Sequence, residues 1–117
     1  EKAPIKIVNF WASWCKPCIE EFKSLNELKE KFGDKVQILG VNTDDEDQKK
    51  KIQKLSKKYD FKFQVVPDKN SELVTKFDVK NIPFSVIYIN GKVHQFHEGA
   101  MDFMAEEFLE DVQKKLK

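Results

Sequence analysis

The chain has 117 residues, 40% of them hydrophobic and 35% charged, which suits one globular domain and excludes a disordered tract. Its 21 basic and 20 acidic residues leave a formal charge of +1, so composition gives no electrostatic case for nucleic acid or an anionic membrane surface. Apolar, β-branched runs alternate with amphipathic stretches from the start. Ile5–Trp11 reads as a buried strand. A helix is predicted from about Cys15 to Lys31, with Ile19, Phe22, Leu25, Leu28 and Phe32 on its apolar stripe and Gly33 ending it. Val36–Val41 is a second strand. Residues 47–59 follow as a helix with Ile52, Leu55 and Tyr59 inward. Its lysines, Lys49 to Lys51 with Lys57 and Lys58, sit beside the acidic run Asp44 to Asp47 and are expected to form a solvated face.

Phe63–Val66 is a short strand ending at Pro67, and Glu72–Phe77 a short helix. Phe84–Ile89 and Val93–Phe96 form a hairpin across Asn90-Gly91, a dipeptide suited to the positive-φ positions of a tight turn. The last helix is predicted from about Asp102 to Lys115, with Ala105, Phe108, Leu109, Val112 and Leu116 inward. Strand–helix–strand order implies parallel pairing through right-handed crossovers, and the hairpin adds an antiparallel edge. The expected fold is therefore α/β: a central mixed sheet flanked by helices on both faces, one domain over residues 1–117. No apolar run reaches the length of a membrane span, and no signal peptide is visible. Because a core-like run starts almost at Glu1, the chain is expected to be excised from a longer exported or anchored protein.

Both cysteines lie in Trp14-Cys15-Lys16-Pro17-Cys18. Three functions are open to them. As a structural staple, a four-residue loop constrains the unfolded chain by only about 2 kcal/mol. As half of a zinc site, the pair would need His94 and His97. Those two are three apart on a predicted strand, so period-two alternation sends them to opposite faces and no metal is expected. The redox reading fits the position best. The pair follows a buried strand and opens a helix, where free N–H groups and the dipole favour an anion. Cys15, near the N-cap, is expected to be the exposed, more acidic thiol and the nucleophile. Lys16 adds a screened positive charge, and Pro17 suits a first helical turn. Cys18, a turn deeper, is expected to be buried and to resolve the mixed disulfide. Glu21 stands three residues after Cys18, in line with Leu25 and Leu28, and so leans toward the core. A buried carboxylate there has a raised pKa and could trade protons with Cys18 or hold the thiolates less acidic.

The segment VNFWASWCKPCIEE, residues 8–21, resembles the active-site segment of the thioredoxin-like superfamily. It is most similar to the TlpA/ResA/DsbE-like branch of bacterial extracytoplasmic thiol–disulfide oxidoreductases, whose pattern NFWAxWCxPCxxE is met at every fixed position. Val41 to Asp44, Val66 to Asp68, Phe77 to Val79, Ile82-Pro83, Ile89 to Lys92 and Gly99-Ala100 match in order, so the resemblance spans nearly the whole chain. It implies a thioredoxin fold in which residues 44–66 are the branch's inserted helix and strand. It implies a cis bond at Pro83, which with Ile82 would form a substrate-binding edge by β-augmentation. Trp14 would shape the surface beside Cys15, with Lys16 and Pro17 on the same substrate-facing rim, and Trp11 would be packing. Asn9 stands where ordinary thioredoxins carry a buried aspartate, which leaves the acid–base part to Glu21. The chemistry implied is reduction of protein disulfides through a redox-active Cys15–Cys18 disulfide, with no other cofactor. Partners would be proteins carrying disulfides or thiols and an upstream thiol donor, with no nucleic acid, a membrane only through an anchor elsewhere, and a monomeric state. The compartment implied is extracytoplasmic. Two alternatives are a peroxiredoxin-like peroxidase, which normally has a lone cysteine in a Pro/Thr-rich loop, and a non-catalytic binding module.

Overall fold

The structure, a computed structural model, describes residues 3–116. The strand β1 (Ile5–Trp11) is central because both of its faces are apolar. Trp11 packs edge-on to Phe22 on one side of the sheet, and Phe10 lies against Phe77 and Phe84 on the other. β2 (Val36–Asn42) runs parallel to β1, and β3 (Gln64–Pro67) parallel to β2. β4 (Phe84–Ile89) pairs antiparallel with β1, and β5 (Lys92–Glu98) antiparallel with β4, giving the order β3-β2-β1-β4-β5. The connecting helices are α1 (Lys16–Phe32), α2 (Gln48–Tyr59), the short α3 (Glu72–Lys76) and the terminal α4 (Glu106–Leu116).

One apolar cluster sits between the sheet and α1, α2 and α4. It joins Ile7, Trp11 and Ile87 of the sheet to Phe22, Leu25 and Leu28 of α1 and to Phe108 and Val112 of α4. Those α1 positions recur at intervals of three, which is why this face turns inward. Asn90 and Gly91 both hold positive φ, 53° and 82°, as a two-residue hairpin turn requires. The register pairs Trp11 with Asn42, so the C-terminal ends of β1 and β2 lie side by side. The loops that follow them therefore emerge at the same end of the sheet, where α/β sheets carry their sites.

Three expectations need correction. α4 starts four residues later than predicted, because Asp102 does not extend the helix. Its Oδ1 accepts from the Met104 N–H and its carbonyl from the Ala105 N–H, while the Phe103 N–H donates to Ser24 Oγ. Such local side-chain bonds compete with helix at an Asp. β5 is longer than predicted and contains a bulge. Ile87 opposes Gln95 while Tyr88 opposes Val93, which leaves His94 as the extra residue. The bulge also overturns the opposite-face argument for the histidines. His94 Nε2 lies 2.6 Å from Asp111 Oδ2 of α4, and His97 opposes Ser85, whose hydroxyl faces α1. Both therefore turn to the same side of the sheet. Among the described residues, no group of three or more histidine, cysteine or carboxylate side chains is placed to hold a metal ion.

Gly40 on β2 shows how tightly the aromatic cluster is filled. A Cβ there would lie 3.1 Å from Phe63 Cε1 and 3.3 Å from Trp11 Nε1. Gly40→Val is expected to lower stability by about 1–3 kcal/mol. In urea the midpoint should fall with the slope unchanged. A midpoint equal to that of the wild type would show that the cluster yields.

Candidate active site

Cys15 is the N-cap of α1, in extended backbone conformation at φ −92° and ψ 99°. Its Sγ accepts from the Cys18 N–H at 3.3 Å, so sulfur takes the place of the oxygen that a Ser or Asp cap would offer. Pro17 occupies the first turn, where no N–H is required. Cys15 and Cys18 are joined in a disulfide with their Cα atoms 5.3 Å apart. Cys18 is fully buried, as its place one turn into the helix implies. The expectation that Cys15 is exposed does not hold: it is only 4% accessible. Bonded to Cys18 and folded back onto its own helix, its sulfur has little surface to show. The exposed rim is instead Trp14, at 72%, with Lys16 and Pro17.

Glu21 lies a turn below Cys18 and is 3% exposed. Its Oε1 accepts from Asn9 Nδ2 at 2.8 Å and its Oε2 from the Met101 N–H at 2.9 Å. Burial pushes its pKa up to about 7, against the opposing pull of those two donors. Asn9 Nδ2 also donates to Ser85 Oγ at 2.9 Å, while Asn9 Oδ1 has no hydrogen-bond partner among the described residues. Beside Glu21, Ser24 Oγ accepts from the Phe103 N–H, so the loop before α4 is stitched to α1 at two points. Ser85, Met101 and Phe103 were not singled out by sequence, since nothing local announces that they meet α1 from across the fold.

The Ile82–Pro83 peptide bond is cis, and Pro83 is buried. The Pro83 carbonyl accepts from the Gly99 N–H at 2.8 Å. Ile82 and Trp14 meet across a groove of about 450 Å³, bounded also by Thr43, Val74 and Val79. The structure thus brings together two residues 68 positions apart by number (82 minus 14) that the resemblance assigned to one surface.

Sequence gives Asp44 no role beyond its place in the matching segment Val41 to Asp44 and beside the lysine-rich face, yet it is 4% exposed. Its Oδ2 accepts from the Ser13 N–H at 3.0 Å and from Asn42 Nδ2 at 2.7 Å, and its Oδ1 from Ser13 Oγ at 2.9 Å. The available signal was topological: Asp44 stands just past the end of a strand parallel to the one that carries the cysteines.

A family model, the AhpC/TSA family, matches residues 2–99. Thiol-disulfide oxidoreductase ResA of Bacillus thuringiensis subsp. konkukian is 37% identical over 111 residues, covering 93% of this chain and 61% of the relative. Thioredoxin-like protein YneN of Bacillus subtilis is 31% identical over 97 residues, covering 81% and 56%. The chain thus spans about three fifths of the length of the curated relatives it matches. Among solved structures, a Chlorobium tepidum protein assigned as thiol:disulfide interchange protein DsbE superposes with a TM-score of 0.84 at 26% identity, over 98% of this chain and 82% of that one. These matches agree with the sheet order, the inserted α2 and β3, and the cysteine pair on the tip of α1. The chain belongs to the AhpC/TSA family of thioredoxin-like proteins, in its TlpA/ResA/DsbE-like branch.

Proposed function

We propose that this domain is a thiol–disulfide oxidoreductase that reduces protein disulfides by dithiol exchange. The observation that carries the reading is the Cys15–Cys18 disulfide at the N-cap of α1, above a buried carboxyl whose pKa is about 7. In the reduced enzyme the Cys15 thiolate, favoured by the helix N-terminus, attacks one sulfur of a substrate disulfide. A Cys15–substrate disulfide forms and one substrate thiolate leaves. Cys18 then attacks Cys15 Sγ, the second substrate thiolate leaves, and the Cys15–Cys18 disulfide present here results. Two electrons pass from enzyme to substrate. Cys18 must lose a proton before it attacks. Glu21 is one turn away on the same helix face and holds a proton weakly near neutral pH, so it is the group to take it.

Trp14, Lys16 and Pro17 form the rim that a substrate would meet, and the Ile82–Pro83 edge with Trp14 would hold its backbone. No metal or organic cofactor enters this chemistry. Partners on this reading are proteins bearing disulfides and an upstream thiol donor that restores the dithiol. The working unit is a monomer. The extracytoplasmic setting of the family branch supports a place outside the cytoplasm for this domain, held by an anchor elsewhere in the protein if it is membrane-bound. A reductive direction is favoured by Lys16-Pro17 between the cysteines, which lacks the histidine of strongly oxidising relatives.

The test is reduction of insulin by the reduced domain with dithiothreitol as donor, paired with equilibration against glutathione to obtain the potential. Reduction well above the dithiothreitol background is expected, with a potential well below the roughly −120 mV of strong oxidants. Absence of catalysed reduction would favour a binding module. Peroxide consumption without a disulfide substrate would favour a peroxidase. A potential near −120 mV would reverse the direction.

A further inference from the structure

We infer that Asp44 is a positioning residue for Cys15: its buried carboxylate holds the Ser13–Trp14 turn that delivers the nucleophile to the helix tip. A carboxylate out of water is costly unless donors surround it. Asp44 has three, and two of them belong to Ser13, two residues before Cys15. Past the end of β1, the Ser13 N–H is met by Asp44 instead of by a strand neighbour. The turn is already closed on its inner side, where the Cys15 N–H donates to the Ala12 carbonyl at 3.1 Å. Asp44 grips it from the outer side. The adjacent Thr43 donates both its N–H and its hydroxyl to the Trp11 carbonyl, at 2.8 and 3.2 Å. Two successive residues after β2 thus fasten the chain immediately before the nucleophile.

What the grip fixes is the cap itself. Cys15 serves α1 only if its backbone stays extended and its sulfur lies under the Cys18 N–H. A slack turn would let the sulfur drift from the positive end of the helix, and the thiolate would lose its support. The contact to Lys51 is not the source of the effect. Lys51 Nζ lies 3.8 Å from Asp44 Oδ1, beyond hydrogen-bond distance, and its side chain is partly exposed, so it does not hold the turn.

The inference takes Cys15 as the nucleophile of the proposed exchange, but its test does not need turnover. In a Cys18→Ser background, the rate of Cys15 alkylation by iodoacetamide is followed against pH for the wild type, Asp44→Ala and Asp44→Asn. Asparagine can keep the tether, accepting from the Ser13 and Asn42 donors and donating to Ser13 Oγ. Alanine cannot. Asp44→Ala is expected to be alkylated about three- to tenfold more slowly at pH 7, with its midpoint moved up. Asp44→Asn should be no slower than the wild type. Removing a nearby negative charge would by itself act the other way, lowering the midpoint and speeding the reaction. A folded Asp44→Ala that is not slower, or an Asp44→Asn as slow as the alanine variant, overturns the inference. If Asp44→Ala does not fold, Ser13→Ala removes the hydroxyl tether alone. It should be about two- to threefold slower, and an unchanged rate overturns the inference equally. Failure of the wild type to reduce insulin would remove the exchange reading and leave this result standing.

Discussion

Cys15→Ser is expected to abolish disulfide reduction, by about a thousandfold or more, because the attacking sulfur is gone and a serine hydroxyl cannot replace a thiolate at neutral pH. Cys18→Ser should behave differently. Cys15 can still attack, but nothing resolves the product, so the domain should accumulate as a mixed disulfide with its substrate. Non-reducing electrophoresis of the two variants after exposure to oxidised insulin checks both outcomes, with a band of higher mass only for Cys18→Ser. Accumulation by Cys15→Ser instead would reverse the assignment. The small loop means that either change should cost only about 2 kcal/mol of stability through loss of the disulfide, so folded protein is available for the assay. The same Cys18→Ser variant, expressed in cells, would capture the proteins on which the domain acts.

The second large effect is expected at Glu21. Its folded pKa of about 7 lies above the ordinary 4.5, so the folded protein holds a proton that the unfolded chain has released. Stability from this group is therefore fully present below pH 4.5 and is lost as the pH rises toward and through 7. At about 1.4 kcal/mol per unit, ionising this buried carboxyl costs about 3 kcal/mol by pH 8. Glu21→Gln removes that cost. The unpartnered Asn9 Oδ1 allows the amide to turn and accept from the new donor, so the hydrogen bonds can be kept. Urea unfolding of the oxidised protein should show the variant equal to the wild type at pH 4 and more stable by up to about 3 kcal/mol at pH 8. Exchange activity should move the opposite way. With no group to accept the Cys18 proton, turnover is expected to fall about tenfold to a hundredfold and to lose its inflection near pH 7. A pH-independent stability difference between the two proteins would show that Glu21 titrates as an ordinary surface acid.

Much of this is written in local patterns. The β-branched run at Ile5 and the recurrence of Phe22, Leu25 and Leu28 mark β1 and α1 because each element's period shows within a few residues. Glu21 is found the same way, since helical spacing alone places it under Cys18. Asp44 is not, because its value depends on Ser13, which the fold brings from 31 positions away by number (44 minus 13). The bulge at His94 is hidden for a related reason. Val93-His94-Gln95-Phe96 sets two polar residues between two apolar ones, a break in period-two alternation, but which residue is the extra one appears only against the partner strand. The burial of Cys15 depends on how its sulfur turns at the helix end, which residue order alone does not settle.

That bulge bears on how copies of this domain meet one another at high concentration. A sheet edge with free N–H and C=O groups invites another chain to add a strand, and β5 is such an edge, with Phe96 and Val93 exposed along it. One surplus residue at His94 breaks the repeat that an incoming strand would need, so neighbouring copies find no continuous ladder to extend. At the opposite edge, β3 is four residues long and ends in a proline that has no N–H to give. Both margins of the sheet are thus poor templates for aggregation, so copies of this domain can stay dispersed while its Trp14 rim remains open to other chains.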